Sequence, residues 1–211
     1  MKNKELRNAL LTSLASDLSV NGYLLNKGLE AFTKKLPDGW NRFSLTFLDY
    51  DGWEVKPSML IRKNLVEDIY HRTSFFEPKY HNTTPTIGIS VENLLNNGSD
   101  YRFLLTEEKD IEPCRQWVLK TFFDIAEPFF TKYNSLEELD KAVNVLQGKS
   151  IFSGPKFEGN VGIILAKLVG NIHYNEFVEK YRKYYEWFSN GYYMPEYEGV
   201  LKTLSLLEGR L

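Results

Sequence analysis

The stretch from Trp40 to Arg72 restricts the fold more than any other part of this sequence. Apolar and polar residues alternate over 43–47 and again over 53–61, with an Asp51-Gly52 turn between the two runs. Two alternating runs joined at an Asp-Gly pair predict an antiparallel β-hairpin. Pro57 cannot donate a hydrogen bond within a sheet, which predicts an edge strand or a bulge at that position. A short charged helix is predicted over 64–73, with Leu65, Ile69 and Phe76 facing inward.

The rest of the chain separates into a strand-rich and a helix-rich half. A leucine recurs every four residues from Leu6 to Leu18, which predicts an amphipathic helix. Further strands are predicted over 27–36, 87–91 and 101–105. After Asp110 the periodicity becomes helical, interrupted by a predicted loop over 148–160. This segregation indicates an α+β fold: an antiparallel sheet of about five strands, an N-terminal helix and a helical C-terminal half.

No segment with the composition of a linker divides the 211 residues. The sequence therefore predicts a single α+β domain over 1–211. Within it, residues 1–107 would form the helix and the sheet, and residues 108–211 would be mainly helical and packed on them.

Charge and cysteine content limit the classes of function. The chain has 26 basic and 28 acidic residues, so no overall basic excess favours nucleic acid or an anionic membrane. Cys114 is the only cysteine, which excludes an intramolecular disulfide. The charged N-terminus lacks the apolar core of a signal peptide, and no apolar run approaches the length of a membrane span. These features predict a cytoplasmic protein with no membrane partner.

The segment 62–81 holds the densest group of ionisable side chains. The candidate binding residues there are Arg62, Glu67, His71, Arg72 and His81. Glu67 and His71 are four residues apart, so a helix would place them on one face as an acid–base pair or as two metal ligands, with His81 as the nearest third ligand. The alternative is that Glu67–His71 and Asp68–Arg72 are surface pairs, each stabilising the helix by roughly 0.2–0.5 kcal/mol. The pattern predicts neither a metal nor a cofactor.

The segment 180–188 interleaves basic residues with aromatic rings, a composition that can bind single-stranded nucleic acid. However, Phe177, Tyr181, Tyr184 and Phe188 follow helical spacing. That spacing is typical of a stripe that faces the core, with a solvated basic surface behind it. Nucleic acid is therefore an unfavoured partner.

Several short segments carry a resemblance to a known family. They are residues 21–25, 32–35, 38–40, 52–57, 61–71, 84–90 and 126–130. In their order along the chain they resemble bacterial proteins of the domain of unknown function 4304 group. The resemblance covers about the first two thirds of the chain. It implies an order of structural elements and no catalytic residues.

Three functions agree with the sequence. The first is a non-catalytic protein that binds another macromolecule, comparable to an immunity protein or an antitoxin, because no catalytic motif is visible and aromatic residues are abundant. The alternative is an enzyme or a small-ligand-binding protein with its site near residues 62–81. The third is nucleic-acid binding. A structure with Glu67 and His71 apart and in solvent would exclude the alternative. The lack of a visible catalytic motif argues against enzymatic activity, which the sequence leaves open.

Overall fold

A computed structural model describes residues 3–96, 98–152, 154 and 156–207. The strands are β1 (Leu24–Asn26), β2 (Ala31–Leu36), β3 (Gly39–Tyr50), β4 (Gly52–Lys63), β5 (Ile87–Ser90) and β6 (Phe103–Leu105). The helices are α1 (Asn3–Ser19), α2 (Asn64–Tyr70), α3 (Val91–Leu95), α4 (Ile111–Thr121), α5 (Glu127–Lys132), α6 (Leu136–Val143), α7 (Gly162–Leu168), α8 (Tyr174–Trp187) and α9 (Met194–Leu207). The predicted fold class is confirmed: an antiparallel sheet, an N-terminal helix and helices in the C-terminal half.

The chain divides into two compact units. We call the first the sheet unit, which comprises Met1–Ile61 and Gly88–Thr131. We call the second the helical unit, which comprises Arg62–Ile87 and Lys132–Leu211. The single domain that the sequence predicts over 1–211 stays a prediction.

The sheet unit is built around the predicted hairpin. The strand order is β1-β2-β3-β4-β5, and β6 pairs with β4. Gly52 opens β4 with a φ of +111°, a backbone conformation that favours glycine, and a Cβ at this position would meet Thr106 at 2.7 Å. Because β4 has neighbours on both sides, Pro57 does not lie on an edge strand, and the alternative prediction of a bulge at Pro57 stays a prediction. Pro57 lies two residues beyond the stretch Trp53–Val55 that pairs with β6.

The core of the sheet unit joins α1 to α4. The leucines of α1 that repeat every four residues are completely buried, as predicted, and so are Cys114 and Val118 of α4. The ring of Phe122, just after α4, contacts Tyr23 and Phe43 edge-on, with centroid distances of 4.9 and 5.3 Å. Ring contacts of this geometry add to the stabilisation from apolar burial.

The helical unit begins at the end of β4 and continues through α2. Helix α2 buries Val66, Glu67, Ile69 and Tyr70. The prediction for Ile69 is confirmed, whereas Leu65 is 49% exposed and faces outward. Burial of Glu67 explains the difference, because the inward face of α2 is rotated to include this carboxylate. Phe76, which was also predicted to face inward, is exposed.

A π-helical turn over Lys156–Val161 leads into α7. The sequence predicts a loop over 148–160, which is wrong for 156–160, while residues 153 and 155 lie outside the described part of the chain. Two glycines, Gly159 in the turn and Gly162 at the start of α7, allow tyrosine rings to pack directly against the backbone here. A Cβ at Gly159 would overlap the ring of Tyr185, and a Cβ at Gly162 would meet the Tyr181 ring at 2.8 Å.

Helices α8 and α9 complete the unit. The buried stripe of α8 consists of Phe177, Tyr181 and Tyr185. This confirms a core-facing stripe, but its third ring is Tyr185, and Tyr184 is half-buried. Between the helices, Ser189 and Asn190 both adopt left-handed backbone conformations, with φ of 49° and 53°. Such conformations are unfavourable for residues other than glycine and are enriched at functional sites.

Candidate functional site

A buried group of charged side chains lies in the helical unit around Glu67. We call it the Glu67 cluster: Arg62, Glu67, His71, Thr84 and Lys156. The Glu67 side chain is completely buried, and its Oε2 accepts hydrogen bonds from Lys156 Nζ at 2.9 Å and from Thr84 Oγ1 at 2.6 Å. Nη1 of Arg62 lies 3.7 Å from the same oxygen, and Nε2 of His71 lies 3.4 Å from it. Hydrogen bonds and opposite charges together make burial of this carboxylate possible.

Three of the five residues predicted from the sequence meet in this cluster: Arg62, Glu67 and His71. His81 joins it indirectly, because its ring stacks on that of His71 at a centroid distance of 4.1 Å and its Nε2–H donates to the carbonyl of Phe76. Arg72 is exposed and does not belong to the cluster. The prediction that Glu67 and His71 form a surface pair is wrong, since both side chains are buried and two partners of Glu67, Thr84 and Lys156, come from distant parts of the chain.

Hydrogen bonds and the positive charge of Lys156 favour the ionised form of Glu67. Burial by itself would raise the pKa of Glu67, but hydrogen bonds from His71, Lys156 and Thr84 and the charge of Lys156 outweigh it, so the pKa lies below its ordinary value of 4.5. Burial lowers the pKa of Lys156, and contact with Glu67 opposes that effect. Lys156 Nζ also donates to the carbonyl of Pro85. The ammonium is thus held between three acceptor atoms and joins α2, the segment before β5 and the π-turn.

The depressed pKa of Glu67 predicts how stability depends on pH. The folded state binds the Glu67 proton more weakly than the unfolded state does, so this group stabilises the fold above about pH 4.5, its unfolded pKa. That contribution should disappear as the pH falls through the lower, folded pKa. We expect Glu67→Gln to have a flatter stability profile than the wild type below pH 4.5, measured by urea unfolding at a series of pH values. Equal slopes in the two proteins would contradict the assignment.

A pocket of about 340 Å³ adjoins the cluster within the helical unit. Its described lining residues are Tyr70, Phe75, Phe76, Lys156, Asn160, Tyr185, Tyr192, Tyr193 and Glu196. Six of these nine side chains are aromatic rings, so the wall is largely apolar with few polar groups. Volumes of a few hundred Å³ with this kind of wall are typical of small-ligand sites.

Two buried side-chain oxygens, which belong to residues of the pocket wall, receive no hydrogen bond from the part of the chain that the structure describes. Glu196 is 3% exposed and Asn160 is 2% exposed. Among the residues that the structure describes, no donor makes a hydrogen bond to Oε1 of Glu196 or to Oδ1 of Asn160. A buried acceptor without a partner costs about 1–3 kcal/mol, so each such group in a folded protein requires an explanation.

The pKa of Glu196 is raised, whereas the pKa of Glu67 is lowered. Burial raises the pKa of Glu196, and this effect outweighs the hydrogen bonds from the Tyr70 hydroxyl and the Phe75 backbone N–H and the charges of Lys156 and His71. Ligand sites and catalytic sites frequently contain a carboxyl group whose pKa is raised by its surroundings.

The carboxylate of Glu196 should reduce stability. Because its folded pKa is raised above 4.5, the folded state loses stability as the pH rises through that folded pKa. Glu196→Gln is therefore expected to be more stable than the wild type by about 1 kcal/mol above that pH, and to gain nothing well below pH 4.5. Urea unfolding at about pH 3 and about pH 8 measures both. If Glu196→Gln is less stable than the wild type at pH 8, the claim that the Glu196 carboxylate destabilises the folded protein is wrong.

The sequence does not reveal three polar residues of the pocket: Lys156, Asn160 and Glu196. For Glu196 a signal exists. It precedes Val200 by four residues and Leu204 by eight, and both are completely buried, so a helix over this segment places an acidic side chain on its apolar face. Lys156 and Asn160 carry no comparable local signal, because they lie on a turn that was predicted to be a loop.

Within the described part of the chain, no three or more His, Cys, Asp or Glu side chains are grouped so that they could hold a metal ion. Among the described helices, none combines the length and the apolar character needed to cross a membrane. The cytoplasmic location stays a prediction.

The chain matches no protein-family model, no curated protein and no solved structure. The resemblance to the domain of unknown function 4304 group therefore stays a prediction, and any proposal about function depends on the residues of the pocket.

Proposed function

We propose that the helical unit binds a small ligand in the aromatic pocket, with hydrogen-bond donors of the ligand directed at Glu196 and Asn160. The observation that carries this proposal is a pair of buried oxygens, Oε1 of Glu196 and Oδ1 of Asn160, that receive no hydrogen bond from a described residue and belong to the wall of a pocket of about 340 Å³. A ligand donor would supply the missing hydrogen bonds and remove the free-energy penalty.

Two further observations support a binding site. Exposed rings surround the pocket: Phe75 is 52% exposed and Tyr192 is 65% exposed. Large exposed aromatic side chains that cluster at a concave surface are typical of ligand sites. The left-handed turn at Ser189 and Asn190 lies shortly before Tyr192 and Tyr193, so the unfavourable backbone conformation of Ser189 is maintained close to two rings of the wall.

The Glu67 cluster supports the pocket and is not itself the reactive centre. Lys156 lines the pocket, but Nζ contacts both oxygens of Glu67 and the carbonyl of Pro85, so the ammonium is engaged in holding the wall together. This geometry favours binding over catalysis by Lys156, and enzymatic activity stays open. The predicted role as an immunity-like partner of another macromolecule stays a prediction.

Titration of a fragment library followed by amide chemical shifts tests this proposal. Fragments that carry N–H or O–H donors should shift amides of α2, of the π-turn over Lys156–Val161 and of the start of α9. The double variant Asn160→Ala/Glu196→Gln should lose these shifts. Glu198→Gln changes an exposed carboxylate on the same helix and should keep them. A library in which no fragment shifts these amides would overturn the proposal.

A further inference from the structure

The pocket also indicates the chemical class of its ligand. We infer that the ligand carries a primary ammonium group on an apolar body; this inference rests on the proposed small-ligand function. The ammonium would lie against Glu196 and Asn160, and the apolar body would lie between the aromatic rings of the wall.

Hydrogen-bond complementarity is the first reason. Oε1 of Glu196 and Oδ1 of Asn160 belong to residues that line the pocket, receive no hydrogen bond from a described residue, and are both acceptors. An ammonium group has three donors and no acceptor. A hydroxyl, phosphate or carboxylate would bring acceptors of its own, whereas two strong donors of the wall are already engaged: the Lys156 ammonium contacts Glu67, and the Tyr70 hydroxyl contacts Glu196.

Charge is the second reason. Glu67 pairs with Lys156 at 2.9 Å, and the charge of Lys156 also acts on Glu196, but that charge leaves the hydrogen-bonding capacity of one Glu196 oxygen unused among the described residues. Glu196 is only 3% exposed, and one of its oxygens receives no hydrogen bond from a described residue. A ligand cation would supply the opposite charge and the hydrogen bond together, which makes the contact stronger than one to a neutral donor.

The aromatic wall is the third reason. The faces of aromatic rings carry negative electrostatic potential and attract cations, and the attraction grows when water is excluded. The wall already uses this interaction once, since Lys156 Nζ lies 4.9 Å from the centroid of the Tyr70 ring. Rings of Phe75, Phe76 and Tyr193 would surround the apolar body of the ligand.

A primary ammonium can come from a free amine or from a lysine side chain of a partner protein. The calorimetric test therefore uses four probes: phenethylammonium, 2-phenylethanol, phenylacetate and Nα-acetyl-lysine-N-methylamide. The first three share one ring and differ in the polar group, so they report the class of the ligand. The fourth places the same ammonium on a lysine stem, so it reports the source.

We expect phenethylammonium to bind the wild type at least about tenfold more tightly than 2-phenylethanol, as a charged hydrogen bond requires. Glu196→Gln should abolish that preference, and Glu198→Gln should retain it. Tighter binding of the lysine derivative would support the ammonium class and assign it to a partner protein. Far-UV circular dichroism checks that each variant folds, and the three ring probes on the wild type decide the class even if Glu196→Gln does not fold.

Two results would overturn the inference while leaving the proposed function intact: equal affinity for phenethylammonium and 2-phenylethanol, or tightest binding of phenylacetate. If none of the four probes binds and no library fragment shifts the pocket amides, both the ligand class and the proposed function are wrong.

Discussion

Glu67→Gln is expected to lower the free energy of unfolding by about 3–5 kcal/mol, because the substitution leaves buried positive charge without its counter-ion. Lys156 Nζ lies 2.9 Å and Arg62 Nη1 lies 3.7 Å from the Glu67 carboxylate, and both side chains have little contact with water. Glutamine preserves the size and part of the hydrogen bonding, so the loss reports charge. Urea unfolding at pH 7 measures the change.

Glu138→Gln is the matched control for this substitution. Glu138 also forms an ion pair, with Lys141 at 2.6 Å, but both side chains are largely exposed. Exposed pairs contribute little, so no measurable loss is expected there. A loss in Glu67→Gln as small as that of the control would show that the cluster is not the electrostatic centre of the helical unit.

A double-mutant cycle with Lys156→Met separates the pair from its surroundings. Each single change leaves one charge without its closest partner, whereas Glu67→Gln/Lys156→Met removes both. We expect the double variant to lose clearly less stability than the sum of the two single variants. Additive losses would contradict direct coupling between Glu67 and Lys156.

Gly159→Ala is expected to be the second most damaging change, with a loss of about 1–3 kcal/mol from overpacking. A Cβ at Gly159 would overlap the ring and the hydroxyl of Tyr185, and Tyr185 is completely buried and unable to move aside. The higher helix propensity of alanine does not offset an overlap with a fixed ring. Thermal unfolding and the near-ultraviolet circular dichroism of the tyrosines measure both consequences.

Ligand binding should weaken in the same variant, because Tyr185 and Asn160 line the pocket next to Gly159. Gly28→Ala is the control: its Cβ would meet the Asn26 side chain at 3.4 Å, which is an ordinary contact. We expect unchanged fragment binding for Gly28→Ala. If Gly159→Ala is as stable as the wild type, the close packing of the π-turn against α8 is wrong.

Local patterns predicted the parts of the fold that depend on neighbouring residues. The leucines of α1 and the hairpin at Asp51-Gly52 are both present. Each of these features is specified within a few residues of sequence. A periodic pattern or a turn pair therefore suffices to locate it.

The site could not be read in the same way, because its contacts join distant positions. Lys156 meets Glu67 across 89 residues, so the spacing of Glu67 and His71 alone could not distinguish a functional pair from a surface pair, whereas the structure encloses both side chains. The sequence singled out Arg62, Glu67 and His71 as candidate binding residues; the structure brings them together, and their role in binding stays a prediction. The pocket depends on Asn160 and Glu196, whose importance appears only when α9 and the π-turn lie beside α2.

The most direct test is a crystal structure of the protein with phenethylammonium. The ammonium nitrogen should lie within about 2.7–3.2 Å of a carboxylate oxygen of Glu196 and of the amide oxygen of Asn160, with the phenyl ring against the aromatic wall. A probe bound away from this pocket, or a pocket in which Glu196 Oε1 is already paired with a donor of the protein, would contradict the proposed site.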